Sequence, residues 1–268
     1  MAIPAKPAII ILLKVFSTLS KKVLIPIPHQ HFDPTEVAIP WKILTNQNIE
    51  VIFATPDGKK ASCDQLMITG KRLGILSSVL MADSNARTAY AEMEHSTAFN
   101  QPLNWNDLEE KNFDGLILPG GHDKGMREYL ESAKLQREVV KYFEQEKPVG
   151  AICHGVVLAA RSKRADGRSV LFGKKTTSLL ATQEYLAWML TCLWLKDYYL
   201  TYSQSVEAEV REALAVQGDF LKGPMPLFRD SMENLNRGFV VRDQNYLSAR
   251  WPGDAHRFAI EFVKMLGA

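Results

Sequence analysis

Residues 147–160 read KPVGAICHGVVLAA, and this stretch decides the fold. It begins as a short apolar run of strand length and ends with helical spacing, and Cys153, His154 and Gly155 lie between the two parts. A buried strand that turns sharply into a helix, with a nucleophile at the turn and small residues beside it, is a nucleophile elbow. The stretch therefore predicts an α/β protein whose Cys153 side chain projects above the carboxyl edge of a parallel sheet. The alternative is that Cys153 is a small buried filler and His154 a surface residue.

The same alternation of strand-length apolar runs and helix-length periodic segments continues along the chain, which predicts βαβ units. Before the elbow we predict strands at 22–28, 49–56 and 114–121, and helices at 35–47 and 132–146. After it we predict a strand at 148–153 leading into a helix, then a strand at 173–180, a hairpin at 237–250 and a closing helix at 252–266. Two segments interrupt this rhythm, about 59–111 and 185–237, and we interpret them as insertions in a single domain that spans residues 1–268.

The composition limits the class of protein. Of 268 residues, 46% are hydrophobic and 23% are charged, which is typical of a globular protein large enough to bury a sizeable core. A net charge of +2 without a long Lys/Arg run does not predict a nucleic-acid partner. Three cysteines without a C-x-x-C spacing argue against a disulfide framework and a structural zinc site, so we expect a reducing, cytoplasmic location.

The opening stretch, PAIIILLKVFSTLS at residues 7–20, is apolar enough to resemble a secretory or membrane segment. Lys14 interrupts it, and the apolar run is shorter than the roughly 18 residues that a membrane span needs. We favour a helix packed on the domain and predict no membrane partner, with a signal or anchor segment as the alternative.

A second glycine-rich corner closes the predicted strand at 114–121, in the sequence LPGGHD. Glycines let backbone N–H groups approach a ligand closely, so Gly120 and Gly121 are candidates for an oxyanion pocket, with His122 beside them. Because parallel strands deliver their exits to one edge of the sheet, this corner should lie near Cys153. A tight turn without further role is the alternative.

Glu36 is the third candidate, in HFDPTEVAIPW after the first predicted strand. It begins a mostly apolar helix that must pack on the sheet, so its carboxyl is expected over the same edge, with a raised pKa and a proton shared with Cys153. A carboxylate that merely favours the helix N-terminus is the alternative. The Cys153 thiol itself is predicted to be unusually acidic, because the following helix presents its positive end. His154 would serve as a base if its ring folds back towards the sulfur.

Together these motifs resemble the ThiJ/PfpI superfamily. DGLILPGGHDKGMREY followed by KPVGAICHG carries the resemblance, and FDPTEVAIPWKIL with IEVIFATPDGK is similar to the start of its larger members, the holding chaperones and glyoxalase III enzymes. The resemblance implies the class I glutamine-amidotransferase-like architecture, a flavodoxin-like three-layer α/β sandwich around a mostly parallel sheet. It also implies that Cys153 is the nucleophile, His154 its partner and Glu36 the carboxyl that contacts the thiol.

Members of the larger branch complete a triad with an acid shortly after the next strand. In this chain Thr182 falls at that position, and Glu184 lies two residues further on. We assign Glu184 as the third member of the triad, and an ordinary glutamate on a helix surface is the alternative.

Two functions fit these residues. The first is a cofactor-independent enzyme in which Cys153 attacks a small carbonyl compound, such as a 2-oxoaldehyde, or an amide. The second is a non-enzymatic stress protein, either a redox sensor at Cys153 or a holding chaperone. We predict no metal, because His29, His31 and His122 share no established ligand spacing. We expect a homodimer, with the aromatic residues of 185–202 in the core or at the subunit contact. For the cluster at 250–256 we expect ordinary packing, and the alternative is that it closes the pocket or an oligomer interface.

Overall fold

The computed structural model describes residues 20–267, and within them the chain forms nine strands. In chain order these are β1 (Lys22–Pro26), β2 (Gln30–Phe32), β3 (Glu50–Thr55), β4 (Ser62–Cys63), β5 (Leu103–Asn104), β6 (Gly115–Leu118), β7 (Val149–Ile152), β8 (Val240–Asp243) and β9 (Tyr246–Ala249). Seven of them build one sheet in the order β5-β3-β1-β6-β7-β9-β8. All neighbours in it are parallel except β8 and β9, which pair as an antiparallel hairpin. Strands β2 and β4 form a separate parallel pair.

Helices cover this sheet and complete a flavodoxin-like α/β sandwich, as predicted. They are α1 (Pro34–Asn46), α2 (Gln65–Thr69), α3 (Ser77–Leu80), α4 (Ser84–Glu94), α5 (Thr97–Asn100), α6 (Arg127–Leu130), α7 (Ala133–Glu144), α8 (Gly155–Arg161), α9 (Ala181–Leu195), α10 (Val206–Glu212) and α11 (Ala255–Met265). Helix α1 packs against α4 and α11, whereas α8 packs against α6, α7 and α10. Because helices cover both faces, every residue of the central strands β6 and β7 is buried.

The predicted strand at 173–180 is wrong. That segment contributes only an isolated bridge between Thr176 and Phe220, and the place beside β7 belongs to β9. Side chains hold the segment instead, because the Thr177 N–H donates to Ser248 Oγ at 3.0 Å and Thr176 Oγ1 lies 3.2 Å from the same oxygen. The segment resembles a strand in sequence, but it docks on the sheet through the hydroxyl groups of Thr176 and Ser248.

The two inserted segments contain helices that meet each other. From 59–111, α4 buries Ala86, Ala89, Tyr90 and Met93, so that segment reaches the core and is more than a surface insertion. A second, smaller apolar cluster joins the two segments through four buried side chains, Met67, Leu73, Leu195 and Tyr199. The insertions therefore support one another above the carboxyl edge of the sheet.

The apolar N-terminal run lies outside the described residues except for Ser20. Among the helices of residues 20–267, none combines the length and the apolar character that crossing a bilayer requires.

Candidate active site

Cys153 occupies the sharp turn between β7 and α8. Its φ of +57° is in the left-handed region, which a residue with a side chain adopts only when the surrounding structure enforces it. The packing of Gly155 shows what enforces the turn, because a Cβ atom at this position would lie 2.0 Å from the Leu118 carbonyl oxygen. The chain after the elbow therefore presses against the end of β6, and this close approach projects the Cys153 side chain over the sheet edge.

Glu36 is positioned by the start of α1. Asp33 caps that helix, since its Oδ1 accepts hydrogen bonds from the N–H groups of Thr35 and Glu36 at 2.8 and 3.1 Å. The Asp33 N–H in turn donates to the Gly120 carbonyl oxygen at 2.9 Å. Glu36 is fully buried, and its Oε2 accepts the Gly120 N–H at 2.8 Å, whereas its Oε1 has no hydrogen-bond partner among residues 20–267. The second oxygen is thus available to the Cys153 thiol.

The His154 ring folds back towards the sulfur. Its Nδ1 lies 3.4 Å from Cys153 Sγ, and its Nε2 lies 3.0 Å from Thr201 Oγ1. The Thr201 hydroxyl donates its one hydrogen to the His122 carbonyl oxygen at 2.5 Å, so it must accept from His154. This assigns the proton of a neutral His154 to Nε2 and turns the lone pair of Nδ1 towards the thiol. Arg127 holds the Thr201 carbonyl oxygen and keeps the chain at this point in place.

Burial controls the charges at this site. It lowers the pKa of His154 to about 3, with help from the nearby His122 and Arg161, so His154 is neutral at physiological pH. Burial also raises the pKa of Glu36 well above its usual value, and the Asp33 charge adds to this. The pKa of Cys153 is likewise raised by burial and by the Glu36 and Asp33 charges, although the backbone N–H of His154 favours the thiolate.

The prediction of an unusually acidic thiol is therefore wrong. The helix end at Cys153 does not offset the loss of water and the two neighbouring carboxyl groups. In place of a free thiolate, the site is a thiol and a carboxyl that compete for protons.

A cavity of about 240 Å³ opens above this group, and Cys153 lines it although only 4% of the residue is exposed. Glu36, Gly121 and His122 line the same cavity. The two inserted segments supply much of the remaining wall: Met67, Val79 and Leu80 from the first, and Leu186, Ala187, Leu190, Tyr199, Pro226, Leu227 and Arg229 from the second. The sulfur is therefore reachable from a mostly apolar chamber.

The family model described as ThiJ/PfpI family-like matches residues 27–216, which include Glu36, Gly120, Cys153, His154 and Thr201. The chain belongs to the ThiJ/PfpI family. The resemblance predicted from separated motifs is thereby confirmed.

The comparisons place the chain among diverse members. An uncharacterized protein of Schizosaccharomyces pombe is 30% identical over 123 residues, and the match spans only 45% of each chain. A protein of the same yeast named glutathione-independent glyoxalase is 24% identical over 228 residues, or 84% of both chains. Other curated relatives are named deglycases. The solved structure of glyoxalase III from Candida albicans has a TM-score of 0.62 at 16% identity, over 91% of this chain and 97% of that one, a likeness of fold.

Two of the roles predicted for residues of the ThiJ/PfpI site differ from what the structure shows. The Gly120 N–H donates to Glu36, so it is not free to hold an oxyanion as we predicted. Gly120 is nevertheless required, because a Cβ there would lie 2.6 Å from the backbone nitrogen of His154 and 2.9 Å from Glu36 Oε2. Gly121 lines the cavity, and His122 stacks on Tyr199 with ring centroids 4.5 Å apart.

Glu184 is the second difference. Its Oε2 accepts the Val206 N–H at 3.0 Å, and the position at His154 Nε2 is taken by Thr201. Glu184 is buried and lines the cavity, and burial raises its pKa to about 7 against the effect of the Val206 N–H. Among residues 20–267, Glu184 therefore lies in the cavity wall and makes no hydrogen bond to His154, its partner in the predicted triad.

Sequence reasoning missed Thr201 and Arg229 in this ThiJ/PfpI protein. Thr201 follows α9 and lies 47 residues beyond its histidine, in a segment with no motif. Arg229 lies in a Gly/Pro-rich stretch, where its charge resembles that of any surface arginine. Only tertiary contact identifies either residue, so no local pattern would have found them.

Proposed function

We propose that the protein is a cofactor-independent, cysteine-dependent enzyme that converts a 2-oxoaldehyde into a 2-hydroxy acid. The observation that carries this proposal is the position of Cys153 Sγ at a cavity, 3.4 Å from the unprotonated Nδ1 of His154 and beside the buried Glu36 carboxyl. The name of the glyoxalase relative supports the same substrate class.

The reaction begins when the thiol loses its proton to Glu36 or to His154 Nδ1 and the sulfur attacks the aldehyde carbon. A C–S bond forms, and the carbonyl electron pair moves to oxygen, which takes up a proton to give a hemithioacetal. Glu36 then removes the remaining hydrogen of that carbon as a proton. The electron pair shifts to the neighbouring carbonyl, whose oxygen takes up a proton, and gives an enediol.

Protonation of the second carbon, with loss of the proton from the hydroxyl of the first carbon, converts the enediol into a thioester of Cys153. Water cleaves the C–S bond, which releases the 2-hydroxy acid and returns a proton to the sulfur. The sum is the addition of one water to the 2-oxoaldehyde, with one carbon oxidised and its neighbour reduced, so no external oxidant or reductant is needed. An amide substrate is less well supported, because the Gly120 N–H that would bind an oxyanion already serves Glu36.

Turnover of methylglyoxal tests this proposal, and it is measured as the disappearance of methylglyoxal and the appearance of lactate. We expect activity in the wild type, background rates in Cys153→Ala, and unchanged activity in the matched variant Cys192→Ala, whose thiol is on α9 and does not line the cavity. Persistent turnover in Cys153→Ala, or no turnover of any 2-oxoaldehyde by the wild type, would contradict it.

A holding chaperone is a second candidate, favoured by large apolar side chains at the surface of α9 and of the stretch 225–232. These are Leu186, Met189, Leu190, Leu193, Met225, Leu227, Phe228 and Met232. If the protein suppresses the aggregation of a heated client and Cys153→Ala does so equally well, this role is supported. The same result would show that the chaperone activity is separate from catalysis.

A further inference from the structure

The mouth of the cavity above Cys153 is apolar and open to solvent. Three leucines that line it, Leu186, Leu190 and Leu227, are 54%, 46% and 67% exposed, and Val79 faces them from the other inserted segment with similar exposure. The cavity that Cys153 lines therefore meets the solvent between exposed apolar side chains. A substituent as small as the methyl group of methylglyoxal would contact little of this wall.

The cavity also gathers polar atoms that lack partners. Within residues 20–267, nine side chains have a buried nitrogen or oxygen without a hydrogen bond, and six of these side chains line this one cavity. They are Glu36, whose unpaired oxygen is the one available to the Cys153 thiol, and His122, Gln183, Tyr199, Arg229 and Trp251. Burying a polar atom without a hydrogen-bond partner costs free energy of folding. Several such atoms around one cavity therefore indicate where a ligand supplies the missing hydrogen bonds.

Arg229 shows that one of these donors is held in place. Its Nη2 donates to the carbonyl oxygens of Val79 and Met81 at 3.3 and 3.0 Å, while its Nη1 is the atom without a partner. Trp251 Nε1 is a second unpaired donor on the cavity wall, and the Arg229 guanidinium lies 5.4 Å from the Trp251 ring. Two donors without acceptors suit the adjacent carbonyl oxygens of a dicarbonyl head group.

We propose that the preferred substrates are 2-oxoaldehydes with an extended alkyl or aryl substituent in place of the methyl group of methylglyoxal. This inference rests on the proposed function and names the substrate class of the same site. The dicarbonyl head lies at Cys153 and the unpaired donors, and the substituent packs along Leu186, Leu190, Leu227 and Val79 towards the mouth.

The expected size of the preference follows from burial of apolar surface. Each methylene group transferred from water to an apolar wall contributes about a fourfold gain in binding. The same gain should appear in kcat/KM for each methylene added, until the alkyl substituent of the substrate is long enough to reach the mouth of the cavity. Successively longer alkylglyoxals should therefore show rising kcat/KM, and phenylglyoxal should exceed methylglyoxal.

The test measures kcat/KM for methylglyoxal, propylglyoxal, hexylglyoxal and phenylglyoxal with the full chain. Leu190→Asn and Val79→Asn place an amide on opposite sides of the mouth, and both residues are exposed enough for the fold to tolerate the change. Leu193→Asn is the matched control, because Leu193 is on the same helix, is 91% exposed and does not line the cavity. Thermal unfolding of all three variants confirms that each is folded.

We expect the ratio of kcat/KM for hexylglyoxal over methylglyoxal to fall at least about fourfold in Leu190→Asn and in Val79→Asn and to stay unchanged in Leu193→Asn. A wild type that turns over all four compounds equally overturns this inference and leaves the proposed function intact. An equal loss in Leu193→Asn also overturns it. If no 2-oxoaldehyde is turned over, the proposed function itself fails.

Discussion

His154 Nε2 lies 3.0 Å from Thr201 Oγ1, a hydroxyl where an acid was predicted. An aspartate or glutamate in this position would stabilise a positively charged imidazole, whereas a threonine that donates to the His122 carbonyl oxygen accepts only one hydrogen bond from a neutral ring. The neutral ring is consistent with the full burial of His154 and with its low pKa. The pair thus fixes the tautomer of the histidine without adding a charge to the site.

Thr201→Val should lower kcat by roughly tenfold and leave KM nearly unchanged, because the His154 N–H loses its acceptor and the ring is no longer held against the thiol. A buried donor without a partner should also reduce the free energy of unfolding by about 1 to 3 kcal/mol. Steady-state kinetics and urea unfolding measure the two effects. Thr201→Ser keeps the hydroxyl and should restore both, so equal defects in the two variants would argue against this role.

Glu36→Gln should separate thiol reactivity from catalysis. The Glu36 charge raises the pKa of Cys153, so its removal should lower that pKa and move the pH midpoint of alkylation by iodoacetamide downwards. Turnover should fall, because the amide cannot carry the proton between the two substrate carbons. Alkylation profiles of the variant and the wild type, with Cys153→Ala as the blank, give the midpoint. An upward movement would show that Glu36 acts as a hydrogen-bond donor to a thiolate.

Glu184 should make stability depend on pH. Burial raises its pKa from 4.5 to about 7, so the folded protein keeps this proton at pH values where the unfolded chain has lost it. The stabilisation is complete below about pH 4.5 and is lost as the pH rises through about 7, with a maximum loss of roughly 3 kcal/mol.

Glu184→Gln keeps an acceptor for the Val206 N–H and removes the titration. The variant should gain stability relative to the wild type between about pH 5 and about pH 8 in urea unfolding. A difference between the two proteins that is constant across this range would exclude Glu184 as the cause.

Gly155→Ala should prevent the elbow from closing. The added Cβ would lie 2.0 Å from the Leu118 carbonyl oxygen, a backbone atom that cannot turn aside, so we expect about 3 kcal/mol of destabilisation and loss of activity. Gly218→Ala is the matched control, because its Cβ would meet nothing closer than 4.0 Å. Thermal unfolding of both variants measures the difference, and similar melting temperatures would contradict the proposed close contact.

The sheet and the floor of the site were predictable because their determinants are local. Strand-length apolar runs with a glycine two or three residues beyond their ends identify β6 and β7, and the parallel order brings Gly121 and Cys153 to one edge. The partner of His154 depends instead on a loop far along the chain, and hydroxyl residues carry no periodic signal. The thiol acidity was mispredicted because burial of Cys153 beside Glu36 is a property of the tertiary structure, whereas the helix end is visible in the sequence.

The chamber has two origins, since the sheet edge supplies the reacting groups and the two inserted segments, joined through the cluster of Met67, Leu73, Leu195 and Tyr199, supply the wall. Substitutions in the inserted segments can thus change which molecules enter the cavity while the reacting groups at the sheet edge stay the same. A laboratory library confined to the cavity-lining positions of those segments should diversify selectivity while the buried core residues of α4 stay unchanged.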